Sequence, residues 1–107
     1  MNYKLIITSA FKRDAKPLLK KYKSLKNDLA GLIESLENEP VQGKPLGKDC
    51  YKIRLSISSK GKGKSGGARV ITCIKIISEK VFLLTIYDKS YKEDISDKEL
   101  NELLKFI

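Results

Sequence analysis

Residues 51–58 alternate between apolar and polar side chains, a pattern typical of a β-strand with one buried and one exposed face. The apolar positions are Tyr51, Ile53, Leu55 and Ile57, and the polar ones are Lys52, Arg54, Ser56 and Ser58. The exposed face of this strand is therefore basic. Four glycines among the next nine residues, 59–67, exclude a continuation of the strand and predict a mobile loop.

Three further strands are predicted, at 3–7, 68–77 and 81–87, with a hairpin turn at 78–80 joining the last two. The strand at 81–87 is almost entirely apolar, as expected inside a sheet that is covered on one face. Residues 40–49 are rich in glycine and proline, and they predict a turn-rich connector.

Two helices are predicted between the first two strands. The first runs from about residue 11 to residue 22 and contains Pro17, which favours either a kink or a helix that starts near Asp14. The second follows Ser24, a typical N-cap residue, and ends before Pro40.

A third helix closes the chain. Ser96 and Glu99 have the spacing of a capping box, in which each side chain accepts a hydrogen bond from the other residue's backbone N–H. Ile95 is placed to pack on Leu100. The predicted order is β-α-α-β-β-β-α, an α+β fold with the helices packed on one face of a small, mostly antiparallel sheet. We expect a single domain over residues 1–107.

The net charge of +9 is concentrated in the middle of the chain. Residues 44–75 contain nine basic residues and one acidic residue, whereas residues 79–102 contain four basic and seven acidic residues. Such a concentrated positive field favours a polyanionic partner: nucleic acid, an acidic protein or anionic lipid. A charge that serves only solubility is the simpler alternative.

Two common kinds of chemistry are disfavoured by what the chain lacks. It has no histidine, the usual proton shuttle near neutral pH, and only two cysteines, Cys50 and Cys73. Because zinc sites need about four Cys or His ligands, we expect no metal, and we also expect no cofactor and no disulfide. No apolar run approaches the roughly 20 residues that cross a bilayer. We therefore expect a cytoplasmic protein that does not bind a membrane.

Basic side chains from separate strands are expected to meet at one edge of the sheet. Lys52 and Arg54 share a strand face, Arg69 enters the next strand, and Lys89 follows the last one. If these strands are neighbours in the matching register, their cations converge on a phosphate-binding site. Gly63-Lys64-Ser65 resembles the end of a P-loop, but Ser58 replaces the first glycine and no helix follows, so nucleotide binding is disfavoured.

Cleavage of RNA by its own 2′-hydroxyl needs a base, a stabilised phosphorane and a proton for the 5′-oxygen. Without histidine, a lysine crowded by other cations has to act as the base. Arginine stabilises the charge, and Tyr87 or Tyr91 is suited to stack on a nucleobase. From the residues alone, a basic face that only binds is the more common case.

Four segments of the chain resemble the HigB-like branch of the RelE/ParE toxins. They are Ser59–Lys64, Gly66–Ile71, Leu83–Lys89 and the strand Cys50–Leu55. The resemblance extends from about residue 10 to the end, and the order and spacing of the segments make it more specific than any one of them alone.

The resemblance implies the toxin of a bacterial type II toxin–antitoxin system with the β-α-α-β-β-β-α fold. RelE- and HigB-like members are endoribonucleases, or mRNA interferases, that cut mRNA in the ribosomal A site without a metal. A ParE-like toxin that inhibits gyrase without nuclease activity and a non-catalytic RNA-binding module are the alternatives.

The resemblance also implies roles for single residues. Lys52 and Arg54 would act as base or electrostatic stabilisers, and Arg69 would stabilise the phosphorane. Lys89 stands where RelE has a catalytic arginine, and it keeps the charge without the bidentate grip. The family's catalytic tyrosine aligns with Ile95, so Tyr87 or Tyr91 would have to replace it. The implied RNA-binding lysines are Lys48, Lys60, Lys62, Lys64 and Lys75.

A partner is implied as well. A cognate antitoxin would cover the basic face with an acidic, partly disordered arm. The toxin–antitoxin complex would bind operator DNA through the antitoxin, whereas the free toxin would bind the ribosome, its RNA and mRNA.

Overall fold

The computed structural model describes residues 2–107, which form one five-stranded sheet and three α-helices. The strands are β1 (Lys4–Ile7), β2 (Lys44–Gly47), β3 (Cys50–Leu55), β4 (Ala68–Lys75) and β5 (Lys80–Asp88). The helices are α1 (Ser9–Lys21), α2 (Leu25–Asn38) and α3 (Asp97–Leu104), and a 3-10 turn, Ser58–Lys60, follows β3. Within residues 2–107, no helix is both long and apolar enough to span a membrane.

The strand order across the sheet is β1-β5-β4-β3-β2. β1 runs parallel to β5, and every other neighbouring pair is antiparallel. The α+β class and the mostly antiparallel sheet are therefore confirmed. β2 was missed, because residues 40–49 were interpreted as a connector. Pro45 is tolerated in β2 because an edge strand uses only one side of its backbone for pairing.

α1 begins at Ser9, earlier than predicted, and continues through Pro17. The cap is Thr8, whose hydroxyl accepts a hydrogen bond from the Phe11 backbone N–H at 3.1 Å and donates one to the Leu83 carbonyl at 2.8 Å. These two bonds fix the start of α1 on β5. The helix tolerates the missing N–H of Pro17 because packing of its apolar side on the sheet, not local propensity, supplies most of its stability.

α1 and α2 cover one face of the sheet. The side chains buried between them and the sheet include Phe11, Leu25, Leu29, Leu32, Leu36, Ile53, Val70, Leu83 and Ile86. Full burial of one such side chain is worth about 1.5–3 kcal/mol. This cluster is therefore a main source of the stability of the fold.

α3 packs on the opposite face, which corrects the prediction that all helices share one face. Its Leu100 and Leu103 are buried in a second cluster with Ile71, Leu84 and Tyr87. The reason lies in β4, where every residue from 68 to 74 is buried, so this central strand presents side chains that need cover on both sides. The predicted capping box at the start of α3 is confirmed.

Candidate nucleic-acid interface

Three of the predicted site residues form a row on the face that α3 covers only in part. Arg54 of β3 lies opposite Arg69 of β4, and Arg69 lies opposite Tyr87 of β5. Directly opposite residues share a face, with Cβ atoms roughly 4.5–5.5 Å apart. Lys52 lies on the same face of β3 as Arg54, two residues along the strand. The register thus brings Lys52, Arg54, Arg69 and Tyr87 together.

The two β3 cations differ in their surroundings. Arg54 is exposed, and within the part of the chain that the structure describes its guanidinium forms no ion pair. The Lys52 side chain is only 15% exposed, and its Nζ lies 3.1 Å from Oδ1 of Asp94. Sequence reasoning missed Asp94, because it assigned no role to any single carboxylate of the acidic segment 79–102.

Arg69 is buried, and it holds the end of the glycine-rich loop. Its guanidinium donates hydrogen bonds to the carbonyl oxygens of Lys64 at 2.9 Å, Ala68 at 3.1 Å and Ser65 at 3.5 Å. Carbonyl groups satisfy these donors without neutralising the charge. Arg69 therefore positions the loop and still adds a positive charge to the face.

The loop at 59–67 is anchored by hydrogen bonds at both of its ends, and its predicted mobility stays a prediction. At its start, the carboxylate of Asp28 in α2 accepts hydrogen bonds from the Ser58 backbone N–H at 3.0 Å and the Ser58 hydroxyl at 2.7 Å. The Ser24 hydroxyl accepts one from the Ser59 N–H at 2.8 Å instead of capping α2. The composition of the loop gives no sign of these partners, since they belong to another element.

Lys60 is held in a buried network and is not a free loop cation. Its Nζ lies 2.8 Å from Asp88 Oδ1 and 2.7 Å from the Ser90 hydroxyl, and the Tyr22 hydroxyl donates to the other Asp88 oxygen. Burial alone would raise the pKa of Asp88, but the hydrogen bonds from Lys60, Tyr22 and Ser90 lower it to about 2. Lys62 and Lys64, in contrast, are exposed.

Tyr87 ends the row in an unusual environment. The residue is 8% exposed, and its hydroxyl is buried without a hydrogen-bond partner among residues 2–107. Burial raises the pKa of Tyr87 to about 12. The phenol therefore keeps its proton near neutral pH, and in this arrangement its hydroxyl is shielded from solvent.

The structure places Tyr91 and Lys89 beside the row rather than in it. Tyr91 is 77% exposed, and its hydroxyl accepts a hydrogen bond from Lys21 of α1 at 2.9 Å. Lys89 follows β5, and its Nζ lies 3.4 Å from a carboxylate oxygen of Glu93. Tyr87 is therefore the tyrosine that the strand register places beside Arg69.

Lys48 and Lys75 lie at the other end of the sheet. Lys48 is in the turn before β3 and donates a hydrogen bond to Asn101 of α3. Lys75 ends β4, six residues from Arg69, which corresponds to about 20 Å along a strand. These two lysines are not brought together with the row, and they would have to bind a separate part of an extended polyanion.

A protein-family model described as the RelE toxin of the RelE/RelB toxin–antitoxin system matches residues 4–106. The chain belongs to the RelE toxin family. This membership confirms the resemblance seen in the sequence and identifies the chain as a toxin of a toxin–antitoxin system.

Two solved structures are similar to this RelE-family chain. A variant of E. coli toxin RelE in the free state has a TM-score of 0.64 and 21% sequence identity, and the match covers 100% of this chain and 99% of that one. The RelBE2 toxin–antitoxin complex from Mycobacterium tuberculosis has a TM-score of 0.53 and 21% identity, over 82% of this chain and 99% of that one. Both share the fold described above.

Proposed function

We propose that this RelE-family toxin is an endoribonuclease that cuts mRNA in the ribosomal A site. In this reaction the 2′-hydroxyl of the RNA attacks the adjacent phosphodiester, and no metal takes part. The observation that carries the proposal is the row Arg54–Arg69–Tyr87, with Lys52 on the same face. This face of the sheet combines two arginines, a lysine and a protonated phenol. Such groups can bind a phosphodiester and stabilise the negative charge that develops on it.

Arg54 is the residue best suited to grip the scissile phosphate. It is exposed and unpaired among the described residues, and a guanidinium binds two phosphate oxygens at once. Arg69 and Lys52 add positive charge where the phosphorane carries extra negative charge. Because Lys52 Nζ already donates a hydrogen bond to Asp94, this side chain suits electrostatic stabilisation better than proton abstraction.

Tyr87 is the proposed acid. Its pKa of about 12 keeps the phenol protonated at neutral pH. Its hydroxyl, which has no partner among residues 2–107, would donate its proton to the departing 5′-oxygen, a far stronger base, once RNA binding moves the side chains that bury it. The tyrosinate would then regain a proton from water. The 2′-hydroxyl proton leaves to solvent in this scheme, so phosphate binding and charge stabilisation supply most of the acceleration.

The surroundings of the row fit two macromolecular partners. The exposed Lys62 and Lys64 on the anchored loop would contact ribosomal RNA. In the absence of the ribosome, an acidic segment of a cognate antitoxin would cover Arg54 and the loop lysines. The toxin–antitoxin description of the family and the RelBE2 complex support such a partner.

The test is brief induction in bacterial cells, followed by mapping of RNA 5′ ends. Wild type should stop growth and produce cuts inside translated codons. Arg54→Ala should lower the cleavage rate by about 10²–10³-fold, the usual effect of removing one transition-state donor. Lys26→Ala on α2 is the control, because it removes one positive charge from an exposed side chain on a helix that covers the opposite face of the sheet.

Three results would contradict the proposal. They are normal growth with wild type, equal cleavage by wild type and Arg54→Ala, and growth arrest with intact transcripts. Arrest with DNA damage and intact mRNA would favour the gyrase-inhibiting alternative. Circular dichroism of the purified variants checks that each one is folded.

A further inference from the structure

The segment between β5 and α3, residues 89–96, lies against the proposed site. The Nζ of Lys92 is 5.4 Å from the centroid of the Tyr87 ring, and Ile95 packs into the cluster beneath α3. Asp94 of the same segment pairs with Lys52. This segment thus contacts the face at two of the residues to which the proposed reaction assigns a role.

Asp94 is oriented toward Lys52 by its own backbone surroundings. Its Oδ1 accepts one hydrogen bond from the Ile95 backbone N–H at 2.8 Å and another from Lys52 Nζ at 3.1 Å. These hydrogen bonds lower the pKa of Asp94, the backbone bond most, so the carboxylate is ionised at neutral pH. A carboxylate offers a lysine the same kind of anionic oxygen as a phosphate.

The exposed fractions of the Lys52 and Asp94 side chains show which of the two is more tightly held in the ion pair. The side chain of Lys52 is 15% exposed, and that of Asp94 is 61% exposed. Lys52 therefore reaches the surface next to Asp94, whereas Asp94 can turn away into water. A phosphate that arrives from solvent meets the carboxylate first.

Tyr87 provides a second, independent observation. Its hydroxyl is buried and has no partner among residues 2–107. A buried donor without an acceptor is costly. Residues 89–96 therefore lie against a buried phenol that has no partner among residues 2–107 and against a lysine that is already paired.

We infer that Asp94 occupies the position of a substrate phosphate beside Lys52, and that RNA binding displaces it. Asp94 then sets the affinity of the face for RNA, because each bound RNA has to replace an anion already present. The inference rests on the proposed function only in taking RNA as the ligand, since it concerns binding and not cleavage.

The test measures binding of a short, uncleavable 2′-O-methyl RNA oligonucleotide by fluorescence anisotropy at fixed salt. Asp94→Asn should tighten binding by about two- to fivefold relative to the control, the range expected for release of a partly exposed ion pair. The control is Glu102→Gln, which removes the same charge from an ion pair with Lys105 on a carboxylate that is 63% exposed. In a Lys52→Met background, Asp94→Asn should give no gain beyond the control.

Several outcomes would overturn the inference. They are equal gains for Asp94→Asn and Glu102→Gln, a gain that persists in the Lys52→Met background, and no binding by any form. Cleavage of mRNA on programmed ribosomes is measured in parallel. A protein that shows the expected binding pattern but never cuts mRNA would refute the proposed function and leave this inference standing.

Discussion

Replacing Asp88 with asparagine should destabilise the protein by about 3 kcal/mol. The Asp88 side chain is 1% exposed and that of Lys60 is 10% exposed, so the variant leaves a nearly buried ammonium without its counter-ion. Breaking a buried pair on one side usually costs about 3–5 kcal/mol. We expect the lower end, because the Ser90 hydroxyl still accepts a hydrogen bond from Lys60 at 2.7 Å.

The assay is urea unfolding followed by circular dichroism at pH 7. The urea concentration at the midpoint of unfolding should fall. The m-value, which is the slope of the unfolding free energy against urea concentration, should stay constant because the surface exposed on unfolding is unchanged. The melting temperature should fall by roughly 4–8 °C for each kcal/mol. Glu102→Gln, which breaks an exposed ion pair, should stay within about 0.5 kcal/mol of wild type.

A double variant separates the pair from a general effect of the substitution. Asp88→Asn with Lys60→Met removes both charges, so it should recover more than half of the stability lost by Asp88→Asn alone. A loss below about 1 kcal/mol for Asp88→Asn would refute the reasoning. A double variant as unstable as the single one would refute it as well.

Three further predictions concern Asp88 and two glycines, Gly67 and Gly31. The pKa of the Asp88 carboxyl is about 2 in the folded state, against an ordinary value of 3.8. Its contribution of about 2 kcal/mol should therefore be complete above about pH 5 and lost as the pH falls toward 2. When the free energy of unfolding is measured by urea at a series of pH values, wild type should lose this stability below about pH 5, and Asp88→Asn should not. Gly67→Ala should cost about 3 kcal/mol, because the added Cβ would lie 2.1 Å from the Leu55 carbonyl oxygen. Gly31→Ala, with nothing within 4 Å in the middle of α2, should instead stabilise the protein by about 0.5–1 kcal/mol, and a urea series on both variants decides the matter.

The spacing of apolar residues along the sequence predicted the strands and helices that bury only one face. The alternation after Cys50 fixed β3 and placed Lys52 and Arg54 on one face, and the spacing of Ser96 and Glu99 located the start of α3. These signals are local, because they follow from the geometry of one strand and one helix end. The register between strands came only with the structure, since a slip of one residue would turn a side chain to the other face.

Periodicity failed where another element supplies the partner. β2 is a short edge strand that contains a proline and a glycine, residues typical of turns. Its pairing with β3 stabilises it despite the low strand propensity of these two residues. Likewise, α3 is amphipathic in the sequence, but only the burial of β4 on both sides decides which face it covers.

Composition alone does not show which basic residues of the segment 44–75 are paired within the protein and which are exposed. Lys60 and Lys62 stand two residues apart in a repeat of lysine and glycine, yet one is paired with Asp88 in the interior and the other is exposed. The difference comes from a carboxylate 28 residues further along the chain. Net charge therefore points to a kind of partner but does not indicate which side chains would bind it.

Because some of these basic residues are already paired within the protein, the proposed site offers less positive charge to RNA than the composition suggests. Lys60 serves the fold, Arg69 is occupied by carbonyl groups but keeps its charge, and Lys52 is matched by Asp94. Arg54 and the exposed loop lysines are left to make the first contacts. Since each neutralised phosphate adds to affinity and to its salt dependence, a face with one internal carboxylate binds more weakly than its basic residues suggest. Under the proposed function, such moderate affinity would favour release of the cut RNA. The proposed acidic antitoxin segment, which offers several carboxylates at once, would compete with Asp94 for Lys52 in the same way as RNA.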